Sequence, residues 1–238
     1  MEDFSFLEWD SNFFGYKVAG IKASELDSAG LDNIMRELRE NEFKLAYCFV
    51  SPSDKLSNES LSQAPALLAD EKITYSINVE EISFPGSEKI VPYHLNHASQ
   101  KLITLALQSG DYSRFKIDQN FRNKEFERLY MEWIGKSVSK ELADEVLIYS
   151  EDDEILGFIT LSKKNSKGSI GLIAVDENQR GKAIGKKLIG RGLLYFKENN
   201  IAEIDVVTQK ANSVACRFYE TCGFRIKSIV NIYHLWIR

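Results

Sequence analysis

The stretch of sequence that decides the fold is Val175-Asp-Glu-Asn-Gln-Arg-Gly-Lys-Ala-Ile-Gly-Lys-Lys-Leu188. A short apolar strand over residues 170–175 ends in this polar turn, and a helix begins near Gly185. The first N–H groups of a helix have no partner within it, and the helix dipole favours negative charge beside them. The turn nevertheless concentrates four cations, which are Arg180, Lys182, Lys186 and Lys187. Two interpretations stay open: a bound anion such as a pyrophosphate balances these charges, or the lysines are solvated side chains at an ordinary helix start.

The composition is that of a globular protein with one large domain or two small ones. The chain has 238 residues, of which 44% are hydrophobic and 27% are charged, and this is enough to build a buried core. Its formal net charge is −5 and its isoelectric point lies near 5.4, so nucleic acid is not an expected partner. Any anion must therefore bind to a local cationic cluster, and residues 180–191 form the densest one.

The sequence also bears on the compartment and on metals. The first residues, Met-Glu-Asp-Phe-Ser-Phe6, lack the basic and apolar segments of a signal peptide, and no apolar run approaches the ~20 residues of a membrane helix. Three cysteines, Cys48, Cys216 and Cys222, follow no motif, which favours a reducing cytoplasm. The two histidines within residues 94–97 have no carboxylate or thiol cluster beside them, so no metal is expected.

The chain is expected to divide near Phe84-Pro-Gly-Ser-Glu88, where turn residues follow a strand. Residues 1–85 form one predicted α/β domain, with strands over 17–21, 44–50 and 73–79, a helix over 30–40 and a surface segment over 51–71. Residues 89–238 form the second, with a strand over 90–93, helices over 96–109 and 126–138, a hairpin of strands 146–149 and 155–162, then strand 170–175, helix 185–197, strand 204–207, helix 212–222 and a terminal strand pair over 224–237. An exposed terminal strand pair is compatible with a homodimer.

Two motifs in the second region resemble those of the GNAT N-acetyltransferases. The first is Asn178-Gln-Arg-Gly-Lys-Ala183, which is similar to the family's Gln/Arg-x-x-Gly-x-Gly/Ala pyrophosphate loop but has Asn178 in the Gln/Arg position. The second is Asn212-Ser-Val-Ala-Cys-Arg-Phe-Tyr-Glu-Thr-Cys-Gly-Phe224, which resembles the family's Asn…Ala…Phe-Tyr-Glu…Gly-Phe segment. The resemblance implies an α/β fold in which helices flank a mixed, splayed central sheet, preceded here by a smaller, partial GNAT-like domain.

The resemblance further implies that acetyl-CoA is the co-substrate and that no metal takes part. The residues it assigns to acetyl-CoA are Ile173, Ala174, Val175, Arg180, Gly181, Lys182, Ala183, Ile184, Gly185, Lys186 and Asn212. Backbone N–H groups of residues 180–186 would hold the pyrophosphate, with charge-assisted bonds from Arg180 and Lys182. Unpaired backbone groups of residues 173–175 would hold the pantetheine arm and support an oxyanion. Asn212 either contacts that arm or caps a helix.

Tyr219 resembles the family's general acid, which protonates the departing thiolate of CoA. A tyrosine has an unperturbed pKa near 10, above the ~8.5 of a thiol, so it stays protonated at neutral pH. The alternative is a core tyrosine beside Phe218. No general base is evident: Asp176 and Glu177 follow the strand but are also explained as a solvated turn, and the amine then loses its proton through water.

Three further stretches are similar to the TDP-fucosamine acetyltransferase branch of the family. They are Leu7-Glu-Trp-Asp-Ser-Asn-Phe-Phe-Gly15, Ser113-Arg-Phe…Asp118…Phe121 and Leu129-Tyr-Met-Glu-Trp-Ile134. That branch acetylates the 4-amino group of a nucleotide-linked 4-amino-4,6-dideoxyhexose, so the resemblance implies a small-molecule acceptor of this kind. Arg114 is the candidate for an acceptor phosphate, and Phe115 and Phe121 either shape the acceptor cleft or anchor its loop. The aromatic residues among 9–14 are either core or ligand contacts.

Two rival functions remain. The same fold would serve another amine, such as a peptide terminus, an antibiotic or a polyamine, although a cleft lined by Arg114 disfavours a polycation. A non-catalytic module that binds CoA is the second rival, and it has no need of an acid at Tyr219.

Overall fold

The computed structural model describes residues 4–22, 24–79 and 88–237. Its strands and helices alternate along the chain. In order they are β1 (Phe4–Phe6), α1 (Glu8–Phe14), β2 (Val18–Lys22), α2 (Ser28–Glu40), β3 (Leu45–Val50), α3 (Lys55–Gln63), β4 (Ala66–Asn78), β5 (Ile90–Pro92), α4 (Gln100–Ser109), α5 (Arg114–Ile117), α6 (Glu125–Val138), β6 (Glu145–Glu151), β7 (Glu154–Lys164), β8 (Lys167–Val175), α7 (Ile184–Glu198), β9 (Glu203–Gln209), α8 (Ser213–Thr221) and β10 (Arg225–Trp236). Within these described ranges, no helix has the length and apolar character needed to span a membrane.

All ten of these strands belong to one open mixed sheet with the order β1-β2-β3-β10-β4-β9-β8-β7-β6-β5. The pairs β2–β3 and β8–β9 are parallel, and their neighbours run antiparallel. One core contains the buried faces of α7 and α8 against the central strands, and a separate core contains those of α4 and α6. The predicted α/β fold, with helices flanking a mixed sheet, is confirmed.

The two parallel strands β8 and β9 separate before they end. Their pairing stops at Ile170 and Val206, although β8 continues to Val175 and β9 to Gln209. Strands in a sheet lie about 4.8 Å apart, so the loss of pairing opens a gap in the middle of the sheet. The splayed strand predicted for residues 173–175 is present.

Most predicted elements are present with small shifts of their ends. The helix predicted over residues 126–138 is α6, and the helix predicted over 185–197 is α7. The hairpin predicted around residues 152–153 is also present, and both of these residues have a positive φ, as a tight hairpin turn requires.

Two predictions were wrong. Residues 51–71 do not merely wrap the surface, because they contain α3 and the first part of β4. Asp54 caps α3 by accepting a hydrogen bond from the Ser57 N–H at 3.0 Å, and Leu61 on this helix is fully buried. The terminal strand pair is instead the single strand β10, in which Asn231, a residue typical of turns, lies in mid-strand and donates its amide to Asn58 at 2.8 Å.

The position of β10 also changes the argument for a dimer. This strand pairs with β3 on one side and β4 on the other, so it offers no free edge, and the reason given for a homodimer is lost. Most of the predicted linker, residues 84–87, lies outside the described residues, as do residues 1–3. The division into domains 1–85 and 89–238 therefore stays a proposal, in which β4 of the first part lies between β9 and β10 of the second.

Candidate functional site

A cleft of about 1330 Å³ occupies the gap between β8 and β9 and extends to both faces of the sheet. It brings together most of the residues predicted for acetyl-CoA and for the acceptor. Those that line it are Arg114, Phe115, Ile173, Ala174, Val175, Arg180, Gly181, Ala183, Ile184, Gly185, Lys186, Asn212 and Tyr219. Lys182 and Phe121 do not line it.

The loop between β8 and α7 is built to leave the start of the helix uncovered. Asp176 accepts a hydrogen bond from the Asn178 N–H at 2.9 Å and so caps a short 3₁₀ turn over Glu177–Gln179. Gly181 then has φ +83° and Ala183 has φ +58°, and these two left-handed residues direct the chain into α7. No side chain caps α7, so the N–H groups of its first turn remain available to a ligand.

The four cationic side chains of this loop are not gathered at one place. The helix begins at Ile184, one residue before the predicted start, so Arg180 and Lys182 precede it. Arg180 donates to the Val175 carbonyl at 3.4 Å, while Lys182, which does not line the cleft, donates to the Gln179 side chain at 2.7 Å. Lys187 lies over the ring of Tyr149, 5.4 Å from its centre. Of these four cations, only Arg180 and Lys186 line the cleft.

Glycines on the buried side of α7 allow the helix to approach its neighbours closely. A Cβ atom at Gly185 would lie 3.1 Å from the ring of Phe218 on α8, and one at Gly192 would lie 3.1 Å from Leu161 of β7. These distances are tighter than ordinary side-chain contact allows. The close packing holds the start of α7 beside the ends of the separated strands.

Tyr219 projects from α8 to the wall of the same cleft. Its ring packs against those of Tyr75, Phe218 and Phe224, with centroids 5.4–5.8 Å away, and the residue is 4% exposed. Its hydroxyl makes no hydrogen bond to the residues that the structure describes, and burial raises its pKa above the ordinary value of 10. A tyrosine in this state is protonated at neutral pH and free to donate.

Asn212 has the structural role that its sequence position left open. Its side chain accepts a hydrogen bond from the Ala215 N–H at 3.1 Å and caps α8. The residue also lines the cleft, so the cap does not exclude a contact with a ligand.

Neither residue considered as a general base reaches the cleft. Asp176 forms an ion pair with Lys101, and hydrogen bonds from Lys101 and Asn178 lower its pKa. A carboxylate with a depressed pKa is a weak base. Glu177 lies in the exposed 3₁₀ turn, and neither residue lines the cleft.

Arg114 lies at the opposite end of the cleft from α7, where it begins α5. Its guanidinium lies 4.0 Å from the centre of the Tyr47 ring and 4.4 Å from that of Phe115. Its Nη1 lies 3.0 Å from Nε2 of His234. The group is thus held by two rings and one ring nitrogen, and the residue lines the cleft.

Asp118 and His234 support Arg114 from behind. His234 is fully buried, and its Nδ1 lies 2.7 Å from an oxygen of Asp118, which also accepts from Trp236 at 2.8 Å. Burial raises the pKa of Asp118, but hydrogen bonds from His234 and Trp236 outweigh this effect and lower the pKa to about 2. Burial lowers the pKa of His234, so the neutral ring donates from Nδ1 to Asp118 and accepts from Arg114 at Nε2.

Two carboxylates that sequence reasoning missed, one buried and one half-buried, complete this end of the cleft. Asp10 on α1 and Asp70 on β4 both line it. Burial raises the pKa of both groups, that of Asp70 to about 7, and the charge of Arg114 opposes each rise. The local signal for Asp70 is weak, because it is one polar residue among several in a stretch with the composition of a surface loop.

The aromatic candidates divide between anchoring and lining. Phe121 packs against Phe115, Trp236 and His234, with centroids 5.2–5.8 Å away, and so anchors its loop rather than shaping the cleft. Trp9 lines the cleft and is 42% exposed. The other two aromatic residues of α1, Phe13 and Phe14, pack against the same hydrophobic core cluster as Phe121.

Residues 106–224, half of the chain, match the family model described as Acetyltransferase (GNAT) family. Among curated proteins, the spore coat polysaccharide biosynthesis protein SpsD of Bacillus subtilis strain 168 is 22% identical over 138 residues, which cover 58% of this chain and 47% of SpsD. The mycothiol acetyltransferase of Propionibacterium freudenreichii subsp. shermanii is 31% identical over 62 residues, which cover 26% of this chain and 20% of that protein. The chain thus spans less than half the length of these relatives.

Among solved structures, the chain resembles a GCN5-related N-acetyltransferase from Sphaerobacter thermophilus. The TM-score is 0.64 at 13% identity, and the match covers 99% of this chain and 76% of that one. At this identity the likeness concerns the fold, and it extends over both the N-terminal and the C-terminal strands.

Proposed function

Because this chain belongs to the acetyltransferase (GNAT) family, we propose that it is an acetyl-CoA-dependent N-acetyltransferase. One observation carries the proposal: the gap between β8 and β9 joins the uncapped start of α7, Tyr219 and a buried charged pocket in a single cleft. Acetyl-CoA would enter from the α7 side and the amine from the α5 side. The acetyl group would then meet its acceptor where the strands separate.

The residues present fit a pyrophosphate at α7. The free N–H groups of the first helical turn favour an anion, Arg180 and Lys186 add positive charge, and Gly181 has open space where a side chain would stand. Backbone groups of residues 173–175, unpaired toward β9, would bind the pantetheine arm as an added strand.

In the reaction the amine attacks the thioester carbon directly, and the C–S bond breaks as the tetrahedral intermediate collapses. Tyr219 would donate a proton to the leaving sulfur, which prevents a thiolate from accumulating. Its raised pKa keeps the proton on the hydroxyl until the thiolate forms.

For the acceptor, we propose an amino sugar linked to a nucleotide. The distant similarity to SpsD, whose name refers to polysaccharide biosynthesis, supports this class. Exposed rings of Trp9 and Phe49 in the cleft suit the apolar faces of a deoxysugar or a base. Arg114 would face the acceptor, although its charge is already shared with two carboxylates.

Two measurements test the proposal. Calorimetry should show that the protein binds acetyl-CoA. Thiol release should then be fastest with a TDP-linked 4-amino-4,6-dideoxyhexose, compared with dipeptides, an aminoglycoside and spermidine. Binding of acetyl-CoA with no thiol release from any amine would favour the non-catalytic module, and faster turnover of another amine would replace the sugar nucleotide as acceptor.

A further inference from the structure

Asp70 lies beside the gap between β8 and β9, on the strand next to it. In the sheet Asp70 is opposite Ile232 of β10, and two residues later Lys72 is opposite Gln209, the last residue of β9. Asp70 therefore stands just past the end of β9. Since side chains two residues apart on a strand share a face, the finding that Asp70 and Lys72 both line the cleft agrees with this position.

The carboxylate of Asp70 is buried yet incompletely bonded. The residue is 9% exposed, and its Oδ1 has no hydrogen-bond partner among the described residues. Buried polar atoms are nearly always paired, and an unpaired one costs about 1–3 kcal/mol. Because Asp70 also lines the cleft, a ligand that brings a hydrogen-bond donor would satisfy this carboxylate.

The charged surroundings of Asp70 come from several elements. Arg114 on α5 attracts it, as does Lys72 on its own strand, while Glu71 repels it. Tyr130 on α6 also faces it. Arg114 does not neutralise it fully, because its guanidinium also interacts with Asp10 on α1 and bonds His234 on β10.

We propose that Asp70 is the general base that accepts a proton from the ammonium group of the acceptor; the assignment rests on the acetyl transfer proposed above. The ammonium N–H donates to the carboxylate of Asp70, and its proton moves to that carboxylate. The neutral amine forms the N–C bond with the acetyl carbon, and the carbonyl electrons move to oxygen. On collapse the C–S bond breaks and the sulfur takes the proton of Tyr219. The nitrogen releases its second proton to solvent, Tyr219 regains a proton from solvent, and Asp70 returns its own proton to solvent.

The titration behaviour of Asp70 agrees with this role. A general base works best when its pKa lies near the pH of operation, and burial raises the pKa of Asp70 to about 7. Asp176, whose pKa is depressed by its bonds to Lys101 and Asn178, has the opposite character.

The test compares Asp70→Asn with Glu71→Gln, using whichever amine of the panel above the wild type turns over fastest. The control removes the same charge from the next residue, which pairs with Lys210 outside the cleft. At pH 7, kcat/KM of Asp70→Asn should fall by ~10²–10⁴-fold, whereas Glu71→Gln should stay close to wild type. The deficit should shrink as the pH rises toward the pKa of the amine, because solvent then removes the proton.

Further measurements separate a base from a structural residue. Asp70→Glu, which keeps a carboxylate, should recover much of the lost activity, and acetyl-CoA affinity measured by calorimetry should be unchanged in both variants. If Asp70→Asn does not fold, Asp70→Glu must still turn over with its acidic limb displaced from that of the wild type. A near-normal kcat/KM at pH 7 for Asp70→Asn, or an equal deficit at every pH, overturns the proposal. Failure of the wild type to release thiol with any amine rejects the acetyl transfer itself.

Discussion

Replacing Tyr219 with phenylalanine separates catalysis from packing more cleanly than any other change at this site. The ring contacts of Tyr219 with Tyr75, Phe218 and Phe224 remain in the variant. The hydroxyl that is lost has no hydrogen bond to the described part of the chain, and removing a buried group of this kind is close to neutral for stability. The variant therefore loses the proton-donating hydroxyl and keeps the packing of the ring.

The expected effects differ in size and in kind. A positioned acid is worth ~10²–10⁴-fold in rate, which corresponds to roughly 3–5 kcal/mol of activation free energy. Tyr219→Phe should lower kcat by this factor and leave the melting temperature nearly unchanged. Tyr219→Ala removes the ring as well, which costs about 3–5 kcal/mol of stability and should lower the melting temperature by roughly 6–20 °C at 2–4 °C per kcal/mol.

Both quantities should be measured on the same preparations, with acetyl-CoA affinity as a third readout. Because the pKa of Tyr219 is raised, its deprotonation should cause no loss of wild-type activity below about pH 10. A kcat for Tyr219→Phe close to that of the wild type, at an unchanged melting temperature, would refute the assignment of Tyr219 as the acid.

Three other changes test the rest of the site. Gly181→Val should abolish measurable acetyl-CoA binding in calorimetry. The control is Gly15→Val: Gly15 has a similar positive φ and equally open surroundings but lies outside the cleft, so this variant should bear the same backbone strain of ~1–3 kcal/mol and keep its affinity. Equal losses of affinity in the two variants would reject the pyrophosphate site. Arg114→Ala should raise the KM for the acceptor and leave the KM for acetyl-CoA nearly constant. It should also destabilise the fold, because Asp10 and Asp70 lose their cation. A change confined to the KM for acetyl-CoA would reverse the assignment. The pKa of Asp118 falls from 3.8 to about 2 on folding, so its carboxylate stabilises the fold above about pH 4 and that contribution is lost as the pH falls toward 2. Asp118→Asn should therefore lower the free energy of unfolding, measured with denaturant, by about 2 kcal/mol at pH 7 and by almost nothing near pH 2. A loss of stability that does not depend on pH would contradict this account.

The part of the site proposed for acetyl-CoA was predictable because it is local in sequence. The strand, the left-handed Gly181 and the helix that begins at Ile184 lie within a short stretch. A motif of this length carries its own geometry, since turn, strand end and helix start are set by adjacent residues. Tyr219 was found in the same way, from one short segment.

The acceptor end was not predictable in this way because its contacts join distant parts of the chain. Asp118 and His234 are 116 positions apart, and Arg114 and His234 are 120 apart. No spacing in a single sequence reveals such pairs. Asp70 was missed for a second reason: β4 begins at Ala66, in a stretch whose polar residues and prolines favour a loop by local propensity, and pairing with β10 overrides that propensity.

The central position of β10 has a consequence for biosynthesis. β3 and β4 each need this strand as a neighbour, yet it is translated ~150 residues after β4, which at 5–20 residues per second means a delay of roughly 7–30 s. Throughout that interval the edges of β3 and β4 that face β10 in the finished sheet stay unpaired, and unpaired edges are templates for pairing with other chains. Production of this protein should therefore depend on chaperones that bind the growing chain, and a ribosome stalled before residue 225 should hold a first half that is still open to proteases.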